Sequence, residues 1–266
     1  MIDLITDRPA SRRAWLAVAL AWVLIAGALT AWLLGTSTGT LREHLKVGQF
    51  WSLELCLFLG VICGACVVRG VLRGLDRTDF ARMAIVALIG ISLTLFVAPR
   101  TNRIFYDEQI YQSVGQNLAD LKLAQMCNEG GVEYGRLKCA SGEYNKQPYA
   151  YPHLLSLAYR LTGVHGTTAF AVNAAAMAAI VCAVYVLVWL LFRDRTAAAC
   201  AALVLALTPH QIIWSATAAV EPSASLAAVL ALVCAAYYAN SGGAAALAAF
   251  AVGAAYAIQF RPESVL

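Results

Sequence analysis

Of the 266 residues, 61% are hydrophobic and only 13% are charged, and the mean hydropathy is +0.70. Polar groups this sparse cannot cover a water-soluble globule of such length, which leaves an integral membrane protein. The net charge of +4 comes without any aromatic-interleaved basic surface or motif, so nucleic-acid binding is excluded.

A hydrocarbon core about 30 Å thick takes roughly 20 apolar residues per crossing helix. Seven windows meet or approach that length: about Ala14 to Leu34, Phe50 to Val68, Met83 to Ala98, Thr167 to Phe192, Thr196 to Pro209, Ser223 to Ala239 and Ala244 to Phe260. The expected fold is therefore an all-α membrane protein, a bundle of about seven spans. The last four windows are rich in alanine, and runs such as "AVNAAAMAA" predict close helix packing. The N-terminal "MIDLITDRPASRRAW" carries Arg8, Arg12 and Arg13 before an apolar stretch too long for a signal peptide, and reads as an uncleaved anchor. Arg69, Arg73, Arg77 and Arg82 crowd the second short loop, and Arg193 and Arg195 lie in the turn "FRDRT". This bias puts the N-terminus in the cytoplasm of a multi-pass inner or plasma membrane protein. Pro99 to about Gly166 then falls on the outer face as the long hydrophilic segment in which function is to be sought.

That segment opens with "FYDEQIYQSVGQNLADL". Apolar side chains at 110, 111, 114, 118 and 121 form a helix-period stripe, with Gln112, Gln116, Asn117 and Asp120 opposite, so an amphipathic helix at the membrane surface is expected. Asp107 falls at or near its N-cap and Glu108 in its first turn, where carboxylates routinely complement free amides. Cys127 and Cys139 follow, separated by a Gly-rich turn that suits a hairpin. Without a CxxC pair or an HExxH helix, a disulfide in an oxidising compartment is the better reading than a metal site. The other six cysteines lie in apolar spans and read as small buried hydrophobes.

The outer segment closes with "NKQPYAYPHLLSLAYRLTG", placing Tyr149, Tyr151 and His153 near the water interface, as in an aromatic belt. Further on, Glu221 precedes the helix-starting Pro222, and "AIQFRPESVL" ends the last span with Arg261 and Glu263. Each is an ordinary helix-end feature taken alone. Together they put Asp107, Glu108, Glu221, Arg261 and Glu263 on one face of the membrane.

This order of features resembles the GT-C type of polyprenyl-phosphate-dependent glycosyltransferases, including protein O-mannosyltransferases and lipid A aminoarabinose transferases. The resemblance rests on the Asp107-Glu108 pair after a span, the amphipathic helix behind it, the re-entering "YPHLL", the later "WSATAAVEPSASLAAVLAL" and the "AAYAIQFRPE" ending. It covers roughly residues 83 to 266, as an incomplete core after a two-span extension with a basic cytoplasmic loop at 1 to 82. It implies an inverting sugar transfer from a polyprenyl-phosphate donor, at the outer face, to a lipid, glycan or protein acceptor. Asp107 is then the expected base, Glu108 the residue that positions the acceptor or helps to hold a divalent ion, and Arg261 the phosphate partner. Glu221, Glu263, His153 and Tyr111 are further candidates for substrate contact, and the cofactor stays open between none and a divalent metal. A transporter or channel subunit, or a non-catalytic scaffold, is the competing class. Acids at span ends favour surface chemistry over a transport path, with Glu54, just inside the second span, as the exception.

Overall fold

A computed structural model describes residues 12–102, 105–134, 136–144 and 147–261. The chain divides into two compact units, Met1–Leu45 and Lys46–Leu266. The first holds α1 (Arg12–Gly35) and the opening turns of α2 (Thr38–Gly74). Helix α2 begins well before the expected Phe50, because residues 38–49 contain no proline and Ser37 Oγ accepts from the Thr40 amide at 3.2 Å in the manner of an N-cap.

In the second unit, α3 (Arg77–Ser92) runs into a π turn (Leu93–Val97) that stops at Pro99. Next come α4 (Phe105–Asp120), a hairpin of β1 (Met126–Glu133) and β2 (Arg136–Glu143), and α5 (Ala150–Thr162). The remaining helices are α6 (Thr168–Phe192), α7 (Arg195–Leu207), α8 (Pro209–Ser215), α9 (Glu221–Ser241) and α10 (Ala244–Ile258). Among the described residues, four helices are long and apolar enough to cross a bilayer: α2, α3 with its π turn, α6 and α9. A fifth is added if α7 and α8 form one span broken by a 60° bend. Every window expected to cross is helical, and α10, at 15 residues, is shorter than the other apolar helices expected to span, α7 and α8 taken together. The bend has a local cause. Pro209 has no amide to give and forces Thr208 out of the helical region (φ −67, ψ 113).

Short turns join α2 to α3, α6 to α7 and α9 to α10 at one end of this unit. Asp76 caps α3 reciprocally with Asp79, Asp194 caps α7, and Gly242 takes the left-handed conformation (φ 68) that ends α9. Arg195 ties two of these turns together, with Nη1 3.1 Å from Asp76 Oδ2 and Nε 3.1 Å from the buried Asp79 Oδ2. The Tyr185 hydroxyl donates to Asp79 Oδ1 at 2.6 Å.

Helix α6 is the hub. Its Met177, Ile180, Val181 and Tyr185 pack against Met83 and Val86 of α3, Ala198, Ala202 and Ala206 of α7, and Val233 and Ala236 of α9. Alanines on α7 let the backbones approach closely, as their run in the sequence suggested. A second core lies at the opposite end, where Val114 and Leu118 of α4 meet Tyr151, Leu155 and Tyr159 of α5, with Phe50, Leu53, Ala218 and Phe260 around them. Two expectations change here. The stripe of α4 packs on α5 and its neighbours, and Asn117, placed on its polar face, is buried with its Nδ2 donating to the Ser113 carbonyl at 3.1 Å. The free cysteines are also less enclosed than expected, for Cys66 and Cys200 are exposed and the rest half-buried.

Candidate functional site

The second core places the acidic residues. Helix α4 is described from Phe105, and Asp107 and Glu108 both sit in its first turn, near the N-terminus as expected. They differ in depth: Asp107 is half-buried and Glu108 is completely buried. Gly115, two turns further on, makes this possible, because a Cβ there would stand 3.1 Å from the Pro152 carbonyl and from Leu155 Cβ. With no side chain in the way, α4 presses onto α5 and carries Glu108 inward.

On the facing side, the segment from Ala216 to Val220 leaves the helical path while fully buried. Irregular backbone inside a membrane bundle must have its carbonyls satisfied by protein groups. Asn173 of α6 does this with Nδ2, donating to Thr217 O at 2.8 Å and Ala219 O at 2.7 Å, with the Tyr151 hydroxyl oxygen at 3.1 Å. Tyr151 donates in turn to Ala218 O at 2.9 Å, and Ser223 donates to Asn173 Oδ1 at 2.9 Å. Three consecutive carbonyls are thus held by two side chains, and the segment delivers Glu221 to the start of α9.

Glu221 forms an ion pair with Arg261, which follows α10. Its second oxygen, Oε2, is buried and has no hydrogen-bond donor among the described residues. Arg261 keeps 40% of its side chain exposed, so part of its fork stays open. The Ala150 amide donates to Gln259 O at 3.0 Å and anchors α5 to the same place. Tyr151 lies between the two acidic positions. Burial, then neighbouring Tyr159, and then the charges of Glu108 and Glu221 hold its hydroxyl well above the ordinary phenol range, against a lowering by Asn173. Tyr111 stacks edge-on against Tyr151, with ring centroids 5.6 Å apart.

His153 is completely buried rather than exposed. Its Nδ1 is 3.0 Å from Tyr256 Oη, and its Nε2 is 3.6 Å from Glu54 Oε1, which Arg160 also bonds at 2.7 Å. Burial holds the His153 pKa below its usual value, with Glu54 opposing and Arg160 adding to the shift. Tyr149 and Tyr151 are likewise buried in the core, where α5 packs against α4, so their rings do not form an exposed aromatic belt. Cys127 and Cys139 are joined by a disulfide across the hairpin, with Cα atoms 5.7 Å apart. Glu263 lies outside the described residues.

Glu108, Tyr111, Tyr151, Glu221 and Arg261 therefore gather at one end of the unit, with His153 beside them. Asn173, Ser223 and Tyr256 complete the arrangement and were not singled out in the sequence. Asn173 carried a readable signal, as the one amide inside "AVNAAAMAA", since polar side chains in spans are rarely idle. Among the described residues no group of three or more His, Cys, Asp or Glu side chains is arranged to hold a metal ion. Compared with protein-family models, curated proteins and solved structures, the chain matches none.

Proposed function

We propose that the chain is a membrane glycosyltransferase of the GT-C type, moving a sugar from a polyprenyl-phosphate donor to an acceptor at the outer face. The observation that carries this reading is the unequal pair in α4. Asp107 is accessible enough to meet an acceptor hydroxyl, and Glu108 is locked in the core at the end of the unit where Arg261 and Glu221 meet. Asp107 takes the acceptor proton as the new glycosidic bond forms and the bond to the phosphate oxygen breaks. Arg261 accepts the departing phosphate on the open part of its fork, while Glu221 holds the guanidinium in place. Glu108 positions the first turn of α4 through its burial.

The same proposal includes seven passes, α1, α2, α3 with its π turn, α6, α7 with α8, α9 and α10, with the N-terminus in the cytoplasm. Arg73, Arg77, Arg193 and Arg195 all lie by the turns opposite the acidic site, a bias that supports an inner location for that end. The test is transfer by the chain in membranes supplied with a polyprenyl-phosphate sugar. Asp107→Asn should lower transfer by roughly 10² to 10⁴-fold, as expected when a general base is lost, with insertion and melting unchanged. Transfer by this variant within a few-fold of wild type would remove Asp107 from the chemistry.

A further inference from the structure

The sequence sets α2 apart from the candidate site, as part of a two-span extension. The structure ties it to that site. From Lys46 onward, Lys46, Gln49, Phe50, Leu53 and Glu54 recur at the three- and four-residue spacing that lines up one face of a helix. Phe50 and Leu53 are buried in the second core, where the Arg160 guanidinium lies 5.3 Å from the centre of the Phe50 ring. Glu54 bonds Arg160 and lies beside His153. The Lys46 ammonium donates to the Gly142 carbonyl at 2.9 Å, and the Lys46 carbonyl accepts from the Ala124 amide at 2.8 Å, so the same face also holds both ends of the hairpin.

Gln49 is the member of this face that reaches toward Arg261. Its Nε2 donates to Gln259 Oε1 at 3.0 Å, between residues 210 apart in the chain. Gln259 caps the C-terminus of α10, and its carbonyl accepts from the Ala150 amide at 3.0 Å. The residue is thus gripped on its side chain by α2 and on its backbone by α5. Arg261 follows past the end of the helix, where its own amide reaches the Ala257 carbonyl only at 3.4 Å. A bond that long holds little. Phe260, between the two, is buried with its ring 5.4 Å from that of Tyr256. Packing of that kind has no direction, whereas an amide pair does, so the grip on Gln259 fixes where the Arg261 side chain leaves the turn.

We propose that Gln49 is a positioning residue for Arg261, holding it opposite Glu221 through Gln259, and that α2 is therefore a part of the site. The effect on transfer rests on the transferase reading; the hold on Arg261 does not, and is read separately. The full chain in detergent micelles is treated with p-hydroxyphenylglyoxal, which modifies exposed guanidinium groups, and the rate at Arg261 is followed by mass spectrometry. Gln49→Met keeps the length of the side chain and removes its amide, and should speed modification of Arg261 roughly three- to tenfold, as expected for one lost hydrogen bond. Arg69, exposed on the same helix, should react at its wild-type rate. Gln259→Met breaks the bond from the other side and should give the same acceleration, with no further gain in the double variant. Gln49→Glu should restore slow modification, because the Gln259 amide can turn and donate to a carboxylate. In the transfer assay Gln49→Met should lower kcat by a similar factor and leave the acceptor KM unchanged, and this loss should disappear in an Arg261→Gln background. Faster modification with undiminished transfer would keep the clamp and remove Arg261 from the chemistry. Wild-type modification rates in both Gln49→Met and Gln259→Met, or an equal acceleration at Arg69, would overturn the proposal.

Discussion

Asn173 is the most consequential polar residue in the fold, and its replacement by leucine tests how the buried segment 216–220 is held. Leucine has similar volume, so the perturbation removes hydrogen bonds rather than opening a cavity. The carbonyls of Thr217 and Ala219 lose their donor at 2.8 and 2.7 Å, and Ser223 loses its acceptor at 2.9 Å, while Tyr151 continues to serve Ala218 O. Each buried polar group left unsatisfied costs about 1 to 3 kcal/mol, so the three together should cost about 3 to 9 kcal/mol. Asn173→Asp should cost more, because it removes both N–H donors and sets carboxylate oxygens against two carbonyls. Ser223→Ala should cost only about 1 kcal/mol, and its effect should largely vanish in the Asn173→Leu background. Denaturant unfolding in detergent micelles, followed by circular dichroism, reads these differences. A cost below about 1 kcal/mol for Asn173→Leu, with the Asp variant no worse, would refute the claim that side-chain donors hold this segment.

His153 should make stability fall on acidification. Its folded pKa lies below its ordinary value, so the unfolded chain binds the proton more tightly, and stability is full above the ordinary pKa of 6.5 and declines as pH drops beneath it. Melting curves from about pH 8 to about pH 5 should show a smaller decline for His153→Gln than for wild type, and equal slopes would contradict the burial argument. Gly115→Val should lower the melting temperature and transfer together, since the added side chain meets the backbone of α5 at Pro152, with Gly115→Ala intermediate. Arg195→Met should destabilise by about 1 to 3 kcal/mol by leaving buried Asp79 to Tyr185 and a backbone amide, and a double-mutant cycle with Tyr185→Phe should show coupling. Cys127→Ser should speed hydrogen exchange in the hairpin, matching a loss of about 2 to 4 kcal/mol of loop restraint, without changing exchange in α6.

The sequence by itself determined what depends on neighbouring residues. Apolar run length placed a helix in every expected window, Pro209 and Pro99 marked where helical paths stop, and the spacing of Ile110, Tyr111, Val114 and Leu118 predicted α4 and its buried stripe. The arginine clusters flanked the short turns because turn residues meet water whatever the packing. What the stripe would face was not a local property. Only the packing of α5 against α4 buried Glu108, Asn117, Tyr151 and His153. Whether α7 and α8 count as one span likewise depended on a 60° bend between them. The pairing of Glu221 with Arg261, 40 residues apart, and the hold of Asn173 on a segment more than 40 residues away follow from helices brought side by side. Composition tells a chain which residues avoid water, but which polar groups share the dry interior is decided by distances that exist only after the helices have packed.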